Sequence, residues 1–256
     1  GQHTDAVIAD LARAMRIAHF GAPQVDDGKL LPTPTLSQIL KWIAETRKAK
    51  CRIAVDVENE PVNRLVAPLT HVGLARGYDG DPRAPDKSAI CIWLVKRDTS
   101  RVFTRRAEQQ ICDVLNGLLC DPDVHKTGQN LQHDKDVLIA HGYGPIESFD
   151  EDTMIEDQCL NAESPHGLDY LASRETDAPR WKDELKGSGG LATADEYEVR
   201  LYNLQDSART LEIAGKLRPR IERFGVQILY RQKMETQDIA RRMAAGGMPV
   251  SMSRYE

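Results

Sequence analysis

The chain has 256 residues, 41 % of them apolar, and its 34 Lys and Arg against 39 Asp and Glu leave a net charge of −5. That length suits one large domain with an extension or two small ones, and the acidic balance speaks against a protein that coats nucleic acid by charge alone. No apolar run reaches the roughly 18 residues of a membrane-spanning helix, and Gly1-Gln2-His3-Thr4-Asp5 has neither the basic start nor the apolar stretch of a signal peptide. A first residue other than Met is expected of a processed product or an excised piece with a tag-derived Gly. Cys51, Cys91, Cys112, Cys120 and Cys159 are widely spaced with no CxxC pair, as free thiols of a reducing cytoplasm would be.

Residues 5–20 read as a helix, with Val7, Ile8, Leu11, Met15 and Ala18 on its apolar face and Thr4 or Asp5 as cap. Residues 21–35, rich in Gly and Pro, read as a linker, and 36–48 as a short helix with Leu36, Ile39, Leu40 and Ile43 facing in. The nearly continuous apolar run at 52–57 marks a central strand. Residues 62–66 extend it or turn away, and 71–74 and 89–96 follow as strands across an exposed, turn-rich connection at 76–86. Val102-Phe103 reads as the start of a short strand. Residues 106–119 and 131–141 read as helices, and so does the stretch after Ser164-Pro165-His166-Gly167. The Gly/Ser run at 187–190 is expected to move freely. A long helix is expected at 194–217, with Leu201, Leu204, Ala208, Leu211 and Leu217 buried, then further helices from about Leu217 and Met234. Together these give a mixed α/β fold, a central β-sheet flanked by helices.

Four acids stand in order: Asp56 and Glu58 at the end of Ile53-Ala-Val-Asp-Val-Glu, Asp134 closing Asn130-Leu-Gln-His-Asp, and Asp206 closing Tyr202-Asn-Leu-Gln-Asp. A strand repeats its faces every second residue, so Asp56 and Glu58 share one and can share one ion. A buried acid at a central strand is costly without a cation. Asn130 and Asp134, and likewise Tyr202 and Asp206, are four apart and align on a helix face; Asn130 is equally a helix cap, and Tyr202–Asp206 equally a surface hydrogen bond. Carboxylates in this order suit a two-metal phosphodiesterase site, in which hard divalent cations stabilise the attacking and leaving oxygens. Basic segments at 47–52, 101–106 and 216–220 read either as solvated helix ends or as holders of phosphates.

These motifs, with Gly128-Gln129 before the second and Glu151-Asp152-Thr153-Met154 and His166-Gly-Leu-Asp-Tyr-Leu-Ala172 between them, resemble the 3′–5′ exonuclease domain of family A DNA polymerases, the DNA polymerase I type. Tyr202 is similar to the tyrosine of the DEDDy branch of the DnaQ-like superfamily. The resemblance covers about 50–215; Val57 stands where relatives often carry Thr. It implies a ribonuclease H-like fold and two ions, Mg²⁺ or Mn²⁺. Asp56 would bridge them, Glu58 and Asp206 would hold the first, and Asp134 would support the second. Tyr202, whose kind of hydroxyl titrates near 10, would orient the attacking water. Asn130 would shape the terminal-nucleotide site, and Arg180, Trp181 and Lys182 are candidates to clamp the strand by charge and stacking; Trp181 is equally a hydrophobic anchor.

The implied substrate is single-stranded DNA or a frayed 3′ end, cut to nucleoside 5′-monophosphates in proofreading by a monomer in a bacterial or phage-infected cytoplasm. Residues 237–250 resemble the lead-in to a polymerase domain, which gives three parts: a helical extension (1–49), the exonuclease domain (50–216) and a helical C-terminal segment (217–256) of a covalently attached polymerase. The alternatives are a ribonuclease D-like RNA exonuclease and a non-catalytic DNA-binding or spacing module.

Overall fold

The computed structural model describes residues 2–20, 26–59, 67–179, 181 and 193–247. In chain order the elements are α1 (Gln2–Phe20), β1 (Lys29–Leu31), α2 (Leu36–Ala49), β2 (Ile53–Asn59), β3 (Leu69–Arg76), β4 (Ser88–Trp93), α3 (Arg105–Leu119), β5 (Lys126–Gly128), α4 (Leu131–Ala140), β6 (Phe149–Asp152), α5 (Thr153–Leu160), α6 (Leu168–Glu175), α7 (Glu196–Arg223) and α8 (Gln227–Gly246). The strands form one six-stranded sheet in the order β1-β4-β3-β2-β5-β6. β2, β3 and β4 are antiparallel neighbours; β1, β5 and β6 join in parallel. No described helix is long and apolar enough to cross a membrane.

The two faces of the sheet differ in bulk. Ile53, Val55, Val57, Val72, Leu74, Ile90 and Ile92 point to one side, where they pack with α2, α3 and α4 in the larger core. Each such side chain contributes roughly 1.5–3 kcal/mol on burial. The other side carries Ala54, Ala75, Ala89 and Cys91, on which Leu204, Ala208 and Leu211 of α7 pack. Strand alternation therefore sorts large residues from small, and the small face lets α7 lie close. α2 starts at a capping box, with the Thr35 side chain accepting from Gln38 N–H and Gln38 reaching back to Thr35 N–H. α7 starts at a second one, between Asp195 and Glu198.

Several elements depart from the sequence reading. Within the supposed linker, β1 forms and pairs with β4, and β6 forms beside β5. Both are so short that periodicity carries no signal. Val102-Phe103 forms no strand; Val95 and Arg101 make an isolated bridge there. α7 does not stop at 217 but runs through Pro219 to Arg223, and a single helix, α8, follows from Gln227. In the 76–86 connection Tyr78 is buried. On α1 the supposed core face is exposed, Val7, Ile8, Leu11 and Met15 each being more than half accessible. α1 is held instead by Arg13, which donates to the Asp177 and Ala178 carbonyls, and by the Arg16–Asp177 ion pair. The possible strand at 62–66 and the Gly/Ser run lie outside the described residues.

Gly73 marks the closest approach of α7 to the sheet. A Cβ there would sit 2.4 Å from Ser207 Oγ and 2.5 Å from Asn203 Oδ1, both buried side chains. Gly73→Ala is therefore expected to lower stability by about 1–3 kcal/mol through overpacking, or about 2–10 °C in Tm for a domain of this size. Thermal melts of the two proteins check it, and an unchanged Tm contradicts the close contact.

Candidate active site

β5 pairs with β2 only at Ile53 and Ala54, so beyond that point β2 loses its ladder on this edge. α4 fills the gap: Asp134 Oδ1 accepts the Val57 N–H at 3.0 Å. Asp56 lies on the opposite, α7-facing side of the ladder, where Asn203 Nδ2 donates to its Oδ2 at 2.6 Å and to its carbonyl at 3.3 Å. Glu58, two residues on, shares that face. Asp56 and Glu58 are partly exposed, whereas Asp134 is 3 % exposed. Burial, reinforced by the charges of Asp56 and Glu58, pushes the Asp134 carboxyl well above the ordinary carboxylate range, and the Val57 N–H opposes this only in part.

Tyr202 and Asp206 sit one turn apart on α7. Asp206 is three residues from Asn203, so it lies toward the same side of the helix. It is buried and accepts the Trp181 indole N–H at 2.6 Å. Trp181 also packs on the cluster of Leu168, Leu171, Ile213 and Leu217, so the hydrophobic-anchor reading of this residue describes its surroundings. Tyr202 is half-buried against Ala194 and Val199. Arg180 and Lys182 lie outside the described residues.

Asn130 is exposed at the start of α4 in the left-handed conformation, φ 60°, and its side chain caps nothing. The cap comes from Asp152, whose carboxylate accepts the N–H groups of Asn130 at 3.1 Å, Leu131 at 2.9 Å and Met154 at 2.9 Å. Burial outweighs these bonds and lifts its carboxyl to about 6. Sequence reasoning quoted Asp152 without giving it this task; the available signal was an Asp directly before a helix.

The first and third basic segments are largely engaged with acids or carbonyls, and of the second Arg101 is. Arg47 pairs with Asp121, Lys50 with Asp123 and Arg101 with Glu108. Arg52 and Arg218 share the buried Glu151 and Asp79. Lys216 and Arg220 bind Glu212 and Glu175. These cations read better as structural partners than as holders of phosphate.

Oxygen donors are what hard divalent cations take, and the mutual repulsion of Asp56, Glu58 and Asp134 suits a site that a cation completes. Among the described residues, no three His, Cys, Asp or Glu side chains stand ready as an ion cage, so an ion would draw the carboxylates inward.

Asp134→Asn keeps an acceptor for Val57 and removes the buried charge. A carboxyl with a raised folded pKa contributes stability below its unfolded pKa, here 3.8, and loses it as pH climbs through the folded value. The Asn variant is thus expected to gain on the parent as pH rises. In EDTA the gain is near zero around pH 4 and on the order of 1 kcal/mol, about 2–4 °C in Tm, around pH 7.5. Melts across this range check it; a gain independent of pH contradicts the assignment.

A family model described as 3′-5′ exonuclease matches residues 33–222. Among solved structures, the chain is similar to Brucella melitensis NrnC, at 18 % identity and a TM-score of 0.55 over 77 % of this chain and 85 % of that one. Escherichia coli RNase D matches at 18 % identity and 0.54, over 85 % of this chain and 51 % of that one. The catalytic core of RRP6 from Trypanosoma brucei matches at 15 % and 0.52, over 83 % and 53 %. At these identities the likeness is one of fold, and the expected ribonuclease H-like sheet with flanking helices is observed. With most of its length matched by the family model, the chain belongs to the 3′–5′ exonuclease family.

Proposed function

We propose that the chain is a divalent-metal-dependent exodeoxyribonuclease that removes nucleotides from single-stranded or frayed DNA 3′ ends. The observation that carries this reading is the buried Asp134 carboxylate set against Asp56 and Glu58 at the open end of β2. Asp56, Glu58, Asp134 and Asp206 would hold two ions, Mg²⁺ or Mn²⁺. The ions supply positive charge at the phosphate and lower the pKa of the attacking water. Tyr202 would orient that water; the water oxygen bonds to phosphorus as the P–O3′ bond breaks, one water proton passes to solvent and the departing O3′ takes one up, which leaves a nucleoside 5′-monophosphate and a strand one nucleotide shorter with a free 3′ hydroxyl. Asn203 holds Asp56 in place and Trp181 holds Asp206. Asn130, exposed at the start of α4, would shape the terminal-nucleotide site, and Arg180, Trp181 and Lys182 would contact the strand by charge and stacking. An unpaired end reaches such a pocket at least cost, so mismatches are removed preferentially.

We further propose that the chain works as one part of a polymerase, with 217–256 leading toward the polymerase domain. α7 crosses 216/217 without a break, and β1 and α2 join the sheet and core from before residue 50. RNase D of Escherichia coli is described as an exoribonuclease involved in structured RNA processing, which makes RNA the competing substrate.

The test is digestion of 5′-labelled single-stranded DNA and RNA of one sequence with Mg²⁺ or Mn²⁺. A ladder of stepwise shortening is expected, faster on DNA, and abolished by EDTA. Asp56→Ala with Glu58→Ala should cost about 10³-fold or more, and Tyr202→Phe about 10²-fold in kcat. Faster RNA shortening establishes the ribonuclease reading. Inactivity of folded protein on both substrates leaves the non-catalytic module.

A further inference from the structure

Three rows of side chains lie beneath α7: Ala54–Ala75–Ala89, Asp56–Gly73–Cys91 and Glu58–His71–Trp93. Arg200 of α7 covers the last row. Its guanidinium carbon lies 4.1 Å from the centroid of the Trp93 ring and 5.5 Å from that of Tyr197. Trp93 in turn stacks on His71, with centroids 6.3 Å apart and planes 3° from parallel. Arg200 is 7 % exposed, yet among the described residues its Nε and NH1 have no hydrogen-bond partner, and neither does His71 Nε2.

The other buried arginines are treated differently. Arg76 is bound by Glu45 and Asp86, and Arg209 by Asp27 and Glu212. A buried guanidinium with unmet donors is costly, and an apolar side chain of similar volume serves packing better. His71 adds no second cation: burial, then Arg200, pushes its imidazole down to about 4. Two aromatic rings thus hold a planar cation whose Nε and NH1 are unmet and closed to solvent, which leaves NH2 as the nitrogen that can meet a ligand.

We propose that Arg200 binds an internal phosphodiester of the substrate strand, adjacent to the one that is cut, while Tyr197 stacks a base beside it. The inference rests on the nuclease reading above. Two residues along a strand span about 6.6 Å, so the Glu58 row lies one step from Asp56, on the scale of one nucleotide. A guanidinium N–H suits a phosphate oxygen, and Tyr197 is 47 % exposed, so the ring face turned away from Arg200 can stack. Lys96, 6.0 Å over the Trp93 ring, borders an open cavity of about 460 Å³ at the start of α7. The acids of that cavity are engaged: Asp98 accepts from Ser100 N–H, Asp195 from Tyr197 N–H and Glu196 from Arg97 N–H.

The experiment measures binding of a fluorescent single-stranded hexanucleotide, DNA or RNA, by anisotropy over a KCl series. The protein is the full chain carrying Asp56→Ala and Glu58→Ala to prevent cleavage. Adding Arg200→Met is expected to raise Kd about tenfold and to flatten the log–log salt slope by about 0.7, one phosphate. Tm should hold or rise, and binding of dTMP, which has no internal phosphodiester, should not change. Tyr197→Ala, at an exposed position, should weaken the hexanucleotide several-fold at an unchanged salt slope. The inference falls if Arg200→Met leaves affinity and slope alone while the parent binds, if dTMP binding falls equally, or if Tm drops along with binding and Tyr197→Ala has no effect. A parent that binds neither hexanucleotide overturns the nuclease reading together with this inference; a parent that binds either one keeps them separable.

Discussion

α7 lies where it does because two of the three rows of side chains under it carry almost no bulk. Ala54, Ala75, Ala89 and Cys91 pave that face, and Gly73 removes the last obstruction between Asn203, Ser207 and the sheet. Close packing converts this absence of volume into register. With Asn203 seated over Gly73, its amide reaches Asp56; Tyr202 and Asp206 then have fixed positions along a 28-residue helix. Arg200, one turn earlier, is carried over Trp93 by the same seat. One choice of small residues on three strands therefore sets the geometry of two motifs that are about 150 residues apart in sequence.

Charge is partitioned along the sheet as sharply as volume. Glu151 and Asp134 are both buried carboxylates. Burial alone would raise both, yet Glu151 is held below its ordinary value because Arg218 and Arg52 pair with it. Asp134 goes the other way, because its charged neighbours are Asp56 and Glu58. Asp79 and Glu156, beside the same arginines, are raised as Asp134 is, so what distinguishes Glu151 is its direct pairing with both guanidinium groups. A buried ion pair contributes little net stability, but around Glu151 it consumes the arginines that would otherwise neutralise the acidic end.

Much of this was legible in the sequence. β2 announced itself as a central strand through a continuous apolar run, and α2, α3 and the first part of α7 through helical spacing. The acids could be picked out by order and by resemblance. What escaped depended on tertiary context. β1 has three residues and gains its identity from Ser88–Ile90 beside it. The break expected at about Leu217 is absent, and Pro219, two residues on, is absorbed inside α7. Asn130 looked like a cap, and Asp152, more than twenty residues on, performs the capping. The apolar stripe of α1 is real as a pattern, yet burial is decided by what lies opposite it, and α1 is held by Arg13 and Arg16. Arg200 carried no signal at all, since an unpaired buried cation is recognised only by finding its neighbours.

The end of the chain reaches the site through one hydroxyl. Asp134 is positioned by the start of α4, and that start is fixed by Asp152, which accepts the Asn130 and Leu131 amides. The Asp152 N–H in turn donates to the Tyr230 hydroxyl of α8 at 2.9 Å, and that hydroxyl donates to the Asp150 carbonyl at 3.1 Å. Tyr230 thus spans the backbone on both sides of Glu151. Burial holds its phenol well above the ordinary range, so it stays neutral and keeps both a donor and an acceptor. Lys135–Asp238 and Arg241–Asp136 tie α4 directly to α8 as well. Displacement of α8 would therefore be felt first at the α4 terminus and then at Asp134.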